Sequence, residues 1–309
     1  MNIQSILPAI PSDANKYSRG SLLILAGSQR YFGAGVLATL AAEKTGTGYV
    51  SLATPADAAV AAKHHLLCSP VIAVPDVPEG KSRTDSMSAA SLPGILKELR
   101  KIDAICCGPG LTVNEDTTAF VHEVLDYAAK SNIPLLLDAD ALNIVAAQPE
   151  FLDNRCGHAG KDAVSLVSEC AQNELILTPH TGELARLAAK KKNLNSVPEV
   201  MDTANMLAHK WNATIVAKGS TTCITNGEQQ IKSSKATPAL AKAGTGDVLA
   251  GIIGSLLAQG VSVTDAAILG VHIHSMAGNL AEQKQGRRSV TALDVIDAIP
   301  AVLVSYEAD

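Results

Sequence analysis

Residues 243–259 read Ala-Gly-Thr-Gly-Asp-Val-Leu-Ala-Gly-Ile-Ile-Gly-Ser-Leu-Leu-Ala-Gln, a glycine-rich turn running straight into a helical pattern. Val248, Leu249, Ile252, Ile253, Leu256 and Leu257 recur in pairs four apart. That spacing lays one apolar stripe on a single face and predicts a helix from about Thr245 to Gln259. Gly251 and Gly254 lower helix propensity, so their presence predicts close packing of this helix on a sheet. Ahead of it, Gly244 and Gly246 let the backbone turn tightly and aim successive N–H groups at an anion. Asp247 falls in the first helical turn, where the dipole favours an ionised carboxylate able to accept a proton. The plainer alternative is that Asp247 only caps a helix beside a flexible turn.

Outward from this turn, short apolar runs recur at Leu22–Ala26, Tyr49–Ala53, Ala104–Cys107, Pro134–Asp138, Leu175–Thr178 and Thr214–Ala217, mostly separated by helix-length segments. The alternation predicts an α/β fold, a largely parallel sheet with helices on its faces and the ligand edge at the strand C-termini. After Ala217 the pattern becomes a hairpin, Cys223–Asn226 with Gln229–Lys232, and then helices over about Thr264–Gln283 and Thr291–Val304. Phe151 to Asn173 has weak periodicity and two glycines and reads as an inserted surface excursion. No repeat, linker or composition break divides residues 1–309, which read as one domain.

Composition removes several function classes. Hydrophobic residues at 47% and charged residues at 18% supply a large core and exclude a disordered chain. With aromatics at only 3%, that core must be aliphatic, as expected of strands buried on both faces. A net charge of −5 offers no basic field for nucleic acid or an anionic membrane. The first twenty residues mix charges with prolines and lack the apolar run of a signal peptide, and no stretch reaches membrane-spanning length. The six cysteines show no CxxC pairing, which fits a reducing cytoplasm, with Cys106 and Cys107 as buried thiols. His272 and His274, two apart on a helix, point in different directions and make no metal pair.

Further candidates sit where strands end. Lys218-Gly219-Ser220-Thr221-Thr222 brings an ammonium, a flexible glycine and hydroxyls to a strand terminus, though a hairpin turn with a surface lysine reads the same way. Thr178-Pro179-His180-Thr181-Gly182-Glu183 opens a helix with Thr181 as the expected N-cap. In Asp138-Ala139-Asp140-Ala141-Leu142-Asn143, Asp140 is expected to cap the next helix and Asp138 to face a ligand or metal. Gly27-Ser28, Gly33-Ala34-Gly35 and Gly108-Pro109-Gly110 are small-residue turns that permit close approach of a ligand.

The order of these motifs, from Leu25-Ala26-Gly27-Ser28 to Gly244-Thr245-Gly246-Asp247, resembles the ADP/ATP-dependent NAD(P)H-hydrate dehydratases, a ribokinase-like group with a three-layer α/β/α fold. The resemblance runs from about Lys16 to the last helix. It implies repair of the hydrated cofactors NADHX and NADPHX: a nucleotide phosphorylates the extra ring hydroxyl, and loss of phosphate regenerates NADH or NADPH. Asp247 is then the base, and the N–H groups of Gly244, Thr245 and Gly246 hold charge on the transferred phosphoryl. By the same resemblance Ala34, Gly110, His180 and Asp247 contact the hydrated dinucleotide, and Lys218, Gly219, Ser220, Thr221, Thr222 and Gly246 the adenine nucleotide. His180 is similar to the bacterial branch, in which ADP is the donor and AMP and phosphate the by-products. Mg2+ is expected with the nucleotide, and a homotetramer and a separate NAD(P)HX epimerase are expected as partners. Thr181 stands where that branch usually has proline, Ala243 where glycine is more frequent, and residues 235–242 lack the usual Asn- and Gly-rich approach. The competing readings are a small-molecule hydroxyl kinase of the same superfamily and a nucleotide sensor without turnover.

Overall fold

The computed structural model describes residues 6–74, 87–155, 174–190, 194–233 and 236–307. The strands are β1 (Ser21–Leu25), β2 (Tyr49–Pro55), β3 (Val71–Val74), β4 (Ala104–Cys107), β5 (Leu135–Leu137), β6 (Leu175–Leu177), β7 (Thr214–Ala217), β8 (Cys223–Thr225) and β9 (Gln230–Lys232). The helices are α1 (Phe32–Thr45), α2 (Ala56–Lys63), α3 (Leu92–Lys97), α4 (Glu115–Ser131), α5 (Asp140–Ala147), α6 (Glu150–Arg155), α7 (Thr181–Leu187), α8 (Val197–Trp211), α9 (Thr245–Ala258), α10 (Val263–Gln285) and α11 (Ala292–Glu307). The strands form one sheet in the order β3-β2-β1-β4-β5-β6-β7-β8-β9. It is parallel from β3 through β7, and β8 and β9 add as an antiparallel edge.

Successive strand residues point to opposite faces, so the sheet splits the apolar residues into two cores. Leu22 and Ile24 of β1 join the side chains of α1, α9, α10 and α11 on one face. Leu23 and Leu25 join Phe120, Leu142, Leu184 and Trp211 from the helices of the other face. The result is the expected three-layer α/β/α arrangement. Cys106 and Cys107 take one face each and are fully buried; burial pushes both thiols up, so they remain neutral.

Two departures from the sequence expectation have physical causes. The strand β3 has no alternating pattern, being four residues of edge strand with Ala73 exposed. The expected excursion at Phe151 begins instead as packed structure. Leu152 is buried, and the Trp211 indole N–H donates to Asp153 Oδ1 at 2.7 Å, so α6 is anchored on α8; residues 156–173 lie outside the described residues.

The helix α9 packs beside α1 on one face of the sheet, and its two glycines face different neighbours. A Cβ at Gly254 would stand 3.3 Å from the Leu22 methyl groups and 3.4 Å from the Cys106 Cβ, a tight contact that a small shift of the Leu22 side chain relieves. One at Gly251 would stand 2.2 Å from the Ala38 carbonyl oxygen, which means α1 and α9 touch backbone to backbone. Gly251→Ala should therefore destabilise by about 3 kcal/mol or more through overpacking, outweighing a helix-propensity gain of about 1 kcal/mol. Gly254→Ala should shift stability by less than about 1 kcal/mol. Urea unfolding of both variants checks the ordering; equal midpoints would refute the close helix contact.

Candidate functional site

The parallel strands discharge their C-terminal ends at one edge of the sheet. The chain leaves β1 to one side for β2 and β3 and returns to the other side for β4, opening a crevice between the two directions. Turns from both sides meet there, with the Gly27 N–H donating to the Pro109 carbonyl at 2.8 Å. Gly110 has φ +66°, and a Cβ on it would stand 2.8 Å from Tyr31 and 3.0 Å from the Ala34 Cβ. Ala34 and Gly110, far apart in sequence, are thus one surface. Three residues on from Ala34, Leu37 reaches the glycine-rich turn, 2.7 Å from where a Cβ on Gly244 would be.

Strands β5, β6 and β7 contribute a polar cluster. Asp138, 1% exposed, receives Lys218 Nζ at 2.6 Å and the Thr178 hydroxyl at 2.6 Å on the same oxygen, Oδ1. His180 and Lys218 face each other as a parallel bridge, and the Lys218 N–H donates to the Pro179 carbonyl at 2.7 Å. Burial pulls the Lys218 ammonium down, but Asp138, Glu183 and Asp247 outweigh it and hold its pKa above the usual lysine value. The ligand expected for Asp138 is therefore, in this structure, the chain's own lysine.

Helix α7 is capped by His180, not by Thr181. The His180 Nδ1 accepts from the N–H groups of Gly182 and Glu183 at 3.0 and 3.3 Å, and Glu183 Oε2 accepts from the His180 N–H at 2.7 Å. An accepting Nδ1 puts the proton of the neutral ring on Nε2. Burial, then Lys218 and Arg186, lower the His180 pKa, which keeps the ring neutral and a donor. Asp140 is likewise not a cap: Ala139, at φ +50°, takes the cap position of α5, and Asp140 Oδ2 accepts the Thr112 N–H at 2.9 Å.

Gly244 turns with φ +90° and starts α9. The Thr245 hydroxyl donates to the carbonyls of Leu240 and Lys242 at 2.7 and 2.9 Å and its N–H to the Lys242 carbonyl at 3.4 Å, so Thr245 secures the turn. A Cβ on Gly246 would stand 3.7 Å from Lys218 Nζ, which places the lysine beside the first turn of α9. Asp247 sits in that turn, its carboxyl raised to about 7 by burial, then by Asp138, against the pull of Lys218. Beneath it His274 contacts the Thr245 backbone; burial lowers its pKa to about 4, so the ring is neutral. His272 points elsewhere, to the Tyr306 hydroxyl at 2.5 Å. Among the described residues no group of three His, Cys, Asp or Glu could hold a metal ion.

The Lys218–Thr222 turn leads to a cavity. Thr222 is buried, and its N–H donates to Ser233 Oγ at 3.0 Å, while Gly219 and Ser220 are exposed. Ser233 lines an apolar cavity of about 370 Å³ with Ile224, Ile231, Ile268, Val271 and Ser275. Thr178, Glu183 and Arg186 complete the edge: the first two lie in the motif quoted from the sequence but were given no role of their own, and Arg186 was not a candidate. The Glu183 signal was there, because an acidic residue three after a cap marks a capping box.

A family described as NAD(P)H-hydrate dehydratase matches residues 22–301. A bifunctional NAD(P)H-hydrate repair enzyme Nnr from Salinibacter ruber is 34% identical over 297 residues, covering 96% of this chain and 50% of that protein. The chain thus spans about half the length of the curated relatives it matches. An ADP/ATP-dependent NAD(P)H-hydrate dehydratase from Bacillus subtilis, co-crystallized with ATP/Mg2+, superposes with a TM-score of 0.72 at 24% identity, covering 98% and 96% of the two chains. A ribokinase-like superfamily protein from Enterococcus faecalis gives 0.73 at 20% identity over 98% and 93%. At those identities the structures bear on the fold, which is ribokinase-like.

The Asp138–Lys218 contact makes its own prediction. Asp138→Asn keeps the volume but strands a largely buried ammonium, at a cost of about 2–4 kcal/mol. Adding Lys218→Met should recover at least about 1 kcal/mol of that loss. Urea midpoints of the two singles and the double test this; additive losses would refute the pairing.

Proposed function

Since the chain belongs to the NAD(P)H-hydrate dehydratase family, we propose that it converts NADHX and NADPHX to NADH and NADPH at the expense of an adenine nucleotide. The observation that carries this reading is Asp247, a half-buried carboxyl with a pKa of about 7 at the start of α9, in a turn that lies beside the Lys218 ammonium. A base of that pKa is matched to a hydroxyl acceptor at neutral pH. Asp247 takes the proton from the substrate's extra ring hydroxyl as its oxygen attacks the terminal phosphoryl of the donor. The N–H groups of Gly244 and Gly246, with Lys218, hold the charge that develops on the phosphoryl oxygens. The substrate's ring nitrogen then drives out phosphate: the carbon–oxygen bond breaks, the neighbouring carbon gives up a proton, and the ring double bond is restored. With ADP as donor the by-products are AMP and phosphate.

Two placements follow from the chemistry. The donor's phosphates belong over Lys218, Gly219, Ser220 and Gly246, and its base in the apolar cavity that opens beyond Thr222 and Ser233. The dinucleotide belongs on the surface of Ala34 and Gly110 with the Nε2 donor of His180. Magnesium arrives on the nucleotide phosphates.

The test is the near-ultraviolet absorbance of reduced nicotinamide after mixing protein with prepared NADHX, magnesium and ADP or ATP. A rise names the donor, and Asp247→Asn should slow it by about 10²-fold or more. A stable phosphorylated product without NADH would refute the dehydratase reading in favour of a hydroxyl kinase. Because the base works ionised, kcat/KM should fall as pH drops through about 7. Asp138→Asn removes a charge that raises the Asp247 pKa, so the acid limb should move to lower pH; an unmoved limb would place the titration elsewhere.

A further inference from the structure

A second cation, Arg186, stands at the edge of this site without an ion pair among the described residues. Arg186 of α7 is exposed, and its Nε and Nη2 both donate to Asn143 Oδ1, at 3.2 and 2.9 Å. Asn143 lies on α5, so two helices from neighbouring strand ends fix the guanidinium. An amide orients an arginine without neutralising it, and no carboxylate among the described residues pairs with it. The nearby acids are otherwise engaged: Glu183 Oε2 accepts the His180 N–H and Asp140 Oδ2 the Thr112 N–H. A Cβ at Gly182 would stand 2.8 Å from His180 Cε1 and 3.8 Å from Arg186 Nη1, so the arginine flanks the His180 ring.

We propose that Arg186, oriented by Asn143, binds the diphosphate bridge of the dinucleotide substrate; this rests on the dehydratase reading above. The donor's phosphates are provided for by Lys218 and the start of α9, whereas Arg186 flanks the His180 ring, where the dinucleotide is placed above. The diphosphate is the anion that NADHX and NADPHX share, and a guanidinium fork matches paired phosphate oxygens in a way an ammonium does not. Holding Arg186 by an uncharged partner keeps it ready for such a ligand without a competing salt bridge to break.

The experiment combines equilibrium titration with NADH, a stable probe carrying the same diphosphate, and steady-state kinetics of Arg186→Gln, Arg186→Lys and Asn143→Ala. Arg186→Gln should raise the Kd for NADH and the KM for both hydrates about ten- to hundredfold, the range for a hydrogen-bonded charge. The KM for ADP and kcat should stay within about twofold. Arg186→Lys should recover part of the loss, and Asn143→Ala should move the same constants by a few-fold. An unchanged Kd for NADH, a loss confined to NADPHX, or an equal rise in the KM for ADP would each overturn the assignment, as would wild type that does not bind NADH. Wild type that binds NADH through Arg186 but dehydrates neither hydrate would instead sink the dehydratase reading and leave the arginine's role standing.

Discussion

An ammonium largely withdrawn from water needs an opposite charge within contact distance, and here that need organises three strands at once. Lys218 at the end of β7 and Thr178 at the end of β6 both donate to one oxygen of Asp138 at the end of β5. The three termini are therefore held in fixed relation where a ligand would lie. Because the pair is nearly dry, its charges are felt by their neighbours. Asp138 helps to push Asp247 towards neutrality, Lys218 pulls the other way, and Lys218 with Arg186 keeps the His180 ring uncharged.

The other half of the site is held by backbone shape. Gly244 supplies a left-handed turn, Thr245 ties it to the segment before it, and Gly251 lets α9 press against α1. The neutral His274 supports the same turn from α10. The start of α9 is thus fixed in place, with Lys218 Nζ 3.7 Å from where a Cβ on Gly246 would stand. Dihedral strain appears beside it too: Ala139, between Asp138 and Asp140, sits at φ +50°, a conformation tolerated only where surrounding structure demands it.

Much of this was legible in the sequence because it is local. Buried parallel strands are short aliphatic runs, and the six read from the pattern match β1, β2, β4, β5, β6 and β7 to within a residue or two at most ends. The glycine-rich turn and its helix are equally local, and the motif order pointed to the family. What escaped depended on partners distant in the chain. Thr181 looked the better cap, yet His180 wins because its ring nitrogen reaches two N–H groups while Glu183 returns the bond. Asp140 was drawn from capping to the Thr112 backbone, 28 positions away. Arg186 carried no signal at all, since its meaning lies in an amide 43 positions upstream.

The order of the strands also bears on how the chain assembles. From β5 to β9 each strand lies beside the one made just before it, so that half of the sheet can extend in step with synthesis. The helix that covers the middle of one face does not follow this rule. Leu22 of β1 and Cys106 of β4 are sealed by α9, whose residues leave the ribosome only after all nine strands. Until then an aliphatic surface on the oldest part of the sheet stays open to water and to neighbouring chains, the circumstance in which nascent α/β proteins call on chaperones. The segment that carries the proposed base is thus the one that closes the core, and a chain cut short of it would leave that aliphatic face of the sheet uncovered.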